Sequence, residues 1–277
     1  MNILFFKGGA FFYLLGTLVY LSYIIFLKEV LSKTATAVVL AGFGLHTLAL
    51  LARYAEAGHT PVTNLYESLS FFAWMVVGVL LVVNRKYRVK VLGPFLCTIA
   101  LILMIFGLAL PKDILPLAPA LESFWHPFHV FFAFLGNAIF ALAFCCGVLY
   151  LVQEYLLKSQ QVGSISRRLP SLKVLDDLNY RSLIFGFPSL TLGIITGAIW
   201  AEYAWGRYWG WDPKETWSLI TWMIYAFYLH ARLRANWRPP LTNAVVVVGI
   251  IAILFTFLGV SQLAAFSSSN HYYGSPS

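Results

Sequence analysis

Cysteine is scarce: Cys97, Cys145 and Cys146 are the only three in 277 residues, and all lie inside apolar runs. No C-x-x-C pair and no zinc spacing occurs, which excludes a disulfide scaffold and a zinc module and leaves buried structural thiols. Charge is scarce too. Asp, Glu, Lys and Arg make up 11% of the chain against 60% apolar residues, and the mean hydropathy is +0.77. That balance lies far outside the soluble globular range and predicts a polytopic membrane protein without a separate soluble domain. The N-terminal apolar run lacks a small-residue cleavage site, so it is expected to stay as a first span and not to act as a removable signal. Internal repeats and low-complexity segments are absent.

A membrane span takes ~20 apolar residues to cross a hydrocarbon layer of ~30 Å. On that basis eight spans are expected, at about 10–28, 35–53, 64–83, 91–110, 128–157, 182–200, 214–234 and 241–263. The expected fold is all-α, one transmembrane helix bundle over residues 1–277. Fourteen of the nineteen Lys and Arg fall in alternate connections, around Lys28, Arg85, Lys158 to Arg181, and Arg232 to Arg238. The positive-inside rule then puts both termini outside. The net charge of +8 is a topology signal, and nucleic acid is not needed to explain it. The expected outer face carries the loops 54–63, 111–127 and 201–213 and the tail from about Ala264. The connection 158–181 is expected to be a polar loop on the inner face.

What the chain has in excess is tryptophan in one place. Six of its nine tryptophans (Trp200, Trp205, Trp209, Trp211, Trp217 and Trp222) fall in WAEYAWGRYWGWDPKETWSLITW, residues 200–222. An aromatic belt could account for tryptophan at a membrane boundary, but a belt spreads over many helix ends. Concentration in one loop points to a surface that receives something large, flat and apolar. Asp212-Pro213-Lys214-Glu215 reads as a helix start, with Asp212 as N-cap, Pro213 in the first turn and Glu215 closing a capping box. Asn64-Leu65-Tyr66-Glu67 has the same layout. These acids therefore have a structural explanation of their own: they fix the turn that presents the tryptophans.

Of the six histidines, His230 and His46 lie within expected spans, His59, His126 and His129 in or beside outer loops, and His271 in the outer tail. Ionisable groups inside spans are costly and more often functional. Imidazole is a common ligand of haem iron, so two outer histidines above an aromatic shelf could hold a porphyrin from both faces. Simple hydrogen-bonded histidines remain the other possibility.

The string Trp205-Gly206-Arg207-Tyr208-Trp209-Gly210-Trp211-Asp212-Pro213-Lys214-Glu215-Thr216-Trp217 resembles the "WWD" segment of the haem-handling proteins of cytochrome c maturation. Further matches point to the CcsA branch (also called ResC or CcsB) of the system II pathway. They are Gly58-His59-Thr60-Pro61 with Asn64 to Leu69; Leu121 to Trp125 with His129-Val130; Tyr228-Leu229-His230-Ala231-Arg232; and His271-Tyr272-Tyr273-Gly274. The chain departs from that pattern at Ser261 after Gly259-Val260 and in the serines 267–269. The resemblance implies a haem b held at the external loop 200–217, with His129 and His271 as axial ligands of its iron. Trp125, Trp205, Trp209, Trp211, Asp212 and Trp217 would line the site. His230 would belong to a second, intramembrane haem position, with His46 a weaker candidate for its partner, and His126 would be a neighbour of the site.

The implied function is delivery and presentation of haem for covalent attachment to a C-x-x-C-H apocytochrome c, as the catalytic subunit of a haem lyase (synthase). The companion membrane protein CcsB/ResB would be a separate chain. The expected location is a bacterial cytoplasmic membrane, with the loop on the outer side, or a plastid thylakoid membrane. The competing readings are a CcmC-like or HemX-like haem-binding protein without attachment activity, and a transporter.

Overall fold

The computed structural model describes residues 1–256 apart from 88, 161, 162, 164, 165 and 236. Among the described residues there are eight α-helices and no strand: α1 (Asn2–Phe26), α2 (Glu29–Ala57), α3 (Leu65–Tyr87), α4 (Leu92–Leu108), α5 (Trp125–Lys158), α6 (Leu172–Trp205), α7 (Pro213–Leu233) and α8 (Pro239–Leu254). Helix is the only spanning form such apolar segments can take without a barrel, because every backbone polar group must be satisfied inside the segment. Five of them (α1, α2, α3, α5 and α6) are long and apolar enough to cross a membrane. The chain is a polytopic, all-helical membrane protein, as its composition predicts.

The helices pack as two compact units. The first comprises Met1–Pro116 with Leu156–Ser171, and the second Leu117–Tyr155 with the described residues from Leu172 to 256.

In the first unit α1 and α2 meet over small residues: a Cβ on Gly16 would lie 2.4 Å from Val39 Cγ2, and one on Gly42 2.8 Å from Phe12 Cβ. Without water to drive association, helices in a bilayer gain from such close backbone approach. Several of the polar side chains inside pair with one another. Tyr20 Oη lies 3.0 Å from Thr36 Oγ1 and accepts from Asn84 Nδ2 at 2.9 Å. At one end Arg53 and Glu67 form a buried ion pair at 2.9 Å. Arg53 also donates to the carbonyls of Lys112 (2.7 Å) and Asp113 (3.0 Å). Asn64 caps α3, its Oδ1 accepting from Glu67 N at 2.9 Å. The Glu67 carboxylate goes to Thr63 N and Thr63 Oγ1, at 2.9 and 2.8 Å, one residue before the position a capping box would give it.

The second unit is built around Phe140 on α5, stacked on Tyr225 of α7 at 3.8 Å between centroids, with Leu183, Leu190, Tyr228, Val246 and Ile253. Here one expectation is corrected. The polar loop expected over 158–181 ends earlier, because α6 begins at Leu172 and carries Asp176 and Asn179 inside, both buried. A hydropathy scan counts these as water-facing. In the fold they face Arg232 and Asn243 instead, Asp176 pairing with Arg232 and accepting from Asn243 Nδ2 at 3.2 Å.

Candidate haem site at the tryptophan loop

The loop between α6 and α7 is set by its own backbone chemistry. Gly206 ends α6 in the left-handed region (φ 69°), its N–H donating to Glu202 O at 2.8 Å. Glycine enters that conformation at no steric cost. At the far side Asp212 caps α7: its Oδ1 accepts from Lys214 N (2.7 Å) and Glu215 N (3.0 Å). Glu215 Oε2 reaches back to Asp212 N at 3.4 Å, completing the capping box expected from the sequence, and on to Gly210 N at 2.6 Å. The Arg207 guanidinium lies over Gly210, where a Cβ would sit 2.6 Å from its Cζ.

This frame forces Trp211 into the left-handed region at φ 57°. A bulky residue does not choose that conformation for itself. Trp211 is 69% exposed and Tyr208 60%, and Trp209 packs edge-on against Trp211 at 5.7 Å. Among the described residues the Trp209 Nε1–H is shielded from solvent without an acceptor. The loop thus holds an open aromatic face and a buried donor.

His129 sits near the start of α5. Its Nδ1 lies 2.8 Å from the Gly193 carbonyl. A carbonyl can only accept, so Nδ1 carries a proton, and in the neutral ring the lone pair is then on Nε2, the form of imidazole that ligates metal. The ring fits because α6 is bare there: a Cβ on Gly197 would lie 2.5 Å from His129 Nδ1, and one on Gly193 2.9 Å from Ala133 N. The imidazole is nearly parallel to Trp200, at 22° and 5.6 Å. Trp200 is buried, and its Nε1 donates to Ala120 O at 2.8 Å. It touches His126 at 5.0 Å and Trp205, the last residue of α6, at 4.9 Å. One indole therefore joins His129 to the root of the loop.

The other predicted residues are spread more widely. Trp125 joins Phe124 and Phe128 in an aromatic cluster at the start of α5, at 5.9 and 6.4 Å. Trp217 lies on α7 against Phe255, at 4.2 Å. His230 is exposed in the last turn of α7. His46 belongs to the first unit and is fully buried, its Nδ1 3.3 Å from Tyr13 Oη and its Nε2 3.0 Å from Ser70 Oγ. His59 is half-buried, with Nδ1 3.3 Å from Thr60 O. His271 and the tail around it lie outside the described residues, so its pairing with His129 is not seen. Among the described residues no group of three His, Cys, Asp or Glu is placed to hold a bare metal ion. Cys97, Cys145 and Cys146 are buried free thiols, as expected.

Sequence reasoning passed over the place of Trp200 and the bare face of α6. The readable signal for that face was the four-residue spacing of Gly193 and Gly197, which predicts a close helix approach.

The family model described as Cytochrome C assembly protein matches residues 62–266. The cytochrome c biogenesis protein CcsA of Guillardia theta is 36% identical over 82% of this chain and 81% of its own length. That of Synechococcus sp. (strain CC9605) is 36% identical over 83% of each. Among solved structures, the cytochrome c heme lyase CcmF superposes with a TM-score of 0.69 at 20% identity, over 96% of this chain. The chain spans about half of that protein, 49% of its length, and the likeness is one of fold. The matched region takes in α3 to α8, the tryptophan loop and His129, and the chain belongs to the cytochrome c assembly protein family, in its CcsA branch.

Proposed function

We propose that the chain holds haem b at the tryptophan loop and presents it for covalent attachment to an apocytochrome c carrying C-x-x-C-H. The observation that carries this is the 2.8 Å contact between His129 Nδ1 and the Gly193 carbonyl, which in the neutral imidazole puts the lone pair on Nε2. The donor set fits a porphyrin as well. An exposed indole and phenol face at Trp211 and Tyr208 supplies apolar contact, and the buried Trp209 N–H could meet a carboxylate. His271 is proposed as the second axial ligand, with Trp125, Trp205 and Trp217 around the site.

Haem brings two vinyl groups. Each thiol of the incoming protein adds across one of them, sulfur to one carbon and the proton to the other, so no leaving group or oxidant is needed. The three cysteines of this chain are buried, and the thiols come from the substrate. The contribution of this chain is to place the partners, which can be worth several orders of magnitude in rate. On this proposal it acts as the catalytic subunit of a haem lyase, together with a companion membrane protein of the CcsB/ResB type. It would work in a bacterial cytoplasmic membrane or a plastid thylakoid membrane, with the loop on the outer side. His230, exposed on α7, is proposed for a second haem position on the delivery route. Any such part for His46 requires α1 and α3 to part, since both its nitrogens are occupied between them.

The test is purification from a haem-producing host, alone and with the companion. A Soret band lost on His129→Ala together with His271→Ala, and thioether formation on a C-x-x-C-H peptide, are the expected results. A Soret band indifferent to both substitutions overturns the site. Haem binding without any thioether product leaves a carrier of the CcmC or HemX kind and overturns the attachment step.

A further inference from the structure

We infer that Trp200 is the positioning residue of this site: it holds the His129 imidazole in its metal-ligating tautomer and orientation and ties it to the tryptophan loop, an inference that rests on the haem-holding role of His129. Trp200 lies outside the string that carries the family resemblance, five residues before Trp205. Its ring is buried, so it is no part of the open aromatic face.

Three contacts define what it does. First, its face lies against the imidazole at 22°. Rotation of the ring about Cβ–Cγ would drive an imidazole edge into the indole while breaking the Nδ1 bond to Gly193 O. Second, Trp200 is itself anchored. Its Nε1–H donates to Ala120 O at 2.8 Å, on the short 3-10 turn Pro119–Leu121 that precedes α5. A buried indole N–H needs such a partner, and here the partner fixes the ring plane that supports His129. Third, Trp205 packs edge-on against it at 4.9 Å, and Trp205 is followed at once by Gly206, where the loop begins. A displacement of the loop root is therefore felt at the imidazole through two ring contacts.

Ligand groups that bind metal well have their orientation and tautomer set by neighbours that do not touch the metal. The Gly193 carbonyl sets which nitrogen carries the proton. The indole keeps the ring where that bond can form. His126, 5.0 Å from the same indole, packs against Trp200 from the preceding turn of α5 and steadies it further.

The experiment uses the full-length chain, haem-free in detergent micelles or bilayers, with ¹⁵N-labelled histidine. His129→Gln identifies the His129 signals by their loss. In the unsubstituted protein these signals report a protonated Nδ1 and an unprotonated Nε2. Trp200→Leu is expected to lower the ratio of that form to the other tautomer roughly fivefold, the worth of one ordinary hydrogen bond. Trp200→Phe, which keeps a ring face and loses the anchor to Ala120, is expected to fall between. Haem-loaded samples give a second readout: Trp200→Leu moves the spectrum toward high spin, and added imidazole restores it.

Unchanged His129 signals in a folded Trp200→Leu protein overturn the inference. Should the leucine variant fail to fold, Trp200→Phe decides, with signals identical to those of the unsubstituted protein counting against it. The haem assignment fails separately, if the double variant His129→Ala with His271→Ala keeps its Soret band, and the tautomer measurement on haem-free protein stands apart from that outcome.

Discussion

Asp176 on α6 takes the guanidinium of Arg232 on α7, 56 residues further along the chain, and its other oxygen accepts from Asn243 on α8. Asn243 Oδ1 in turn accepts from Asn179 Nδ2 at 2.5 Å. Three helices are thereby joined at one end by groups that a membrane interior penalises unless paired. The penalty makes the pair asymmetric: removing one partner is worse than removing both.

Arg232→Met strands a buried carboxylate, which costs about 3–5 kcal/mol when a buried pair is broken. Asp176→Leu with Arg232→Met removes both charges and is expected to recover a large part of that loss. Thermal melting in detergent, followed by circular dichroism, measures it. If the double variant melts below either single one, the ion pair is a net stabiliser and this account of it is wrong.

Glu215 does more than close the cap of α7. Its carboxylate holds Gly210 N and Asp212 N together, so Glu215→Ala frees two loop amides while leaving the Asp212 bonds to Lys214 and Glu215 in place. The cost is about 1 kcal/mol, as for a lost cap. Hydrogen–deuterium exchange should quicken at 210 and 212, whereas Asp212→Ala should quicken it at 214 and 215. Identical exchange maps for the two variants would mean that the loop opens only as one unit.

The eight helices were legible because apolar length is a one-dimensional property, and the start of α7 because Asp-Pro-x-Glu encodes its cap within four residues. The start of α6 was not. Asp176 and Asn179 look water-facing until Asn243, 67 residues beyond Asp176, is brought beside them. Trp200 shows the same limit. Its identity marks it as an aromatic of the loop region, but its burial depends on the carbonyl of Ala120, 80 residues away. Groups whose partners are near in sequence could be assigned from sequence, and those whose partners come from another helix could not.

Gly197 faces the imidazole with no room to spare, since a Cβ there would lie 2.5 Å from His129 Nδ1. Gly197→Ala is expected to displace the ring and to lower haem retention at unchanged helical content. Gly44→Ala is the control: it sits in α2 with nothing within 4 Å of its added Cβ, and should stabilise the helix by up to ~1 kcal/mol through backbone propensity. Soret absorbance per protein reads the first and melting temperature the second. Equal haem retention in the two variants would remove the steric account of His129.

Trp211 combines strain with exposure, and two substitutions separate them. A non-glycine residue in the left-handed region pays roughly 1–2 kcal/mol, while the edge-on contact with Trp209 returns about 0.5–1.5 kcal/mol. Trp211→Gly loses the contact and relieves the strain, so the terms nearly offset and stability stays close to that of the unsubstituted protein. Trp211→Ala loses the contact and keeps the strain, and is expected to be the less stable variant by ~1 kcal/mol. Both lose the exposed indole face, and both should bind haem less well, whatever their stability. That divergence is the signature of a residue held in a costly conformation for what it displays: melting temperatures should rank glycine above alanine while haem retention falls in both. If glycine is no more stable than alanine, the positive φ of 57° carries no strain. If both keep their haem, the Trp211 face is not where the porphyrin lies.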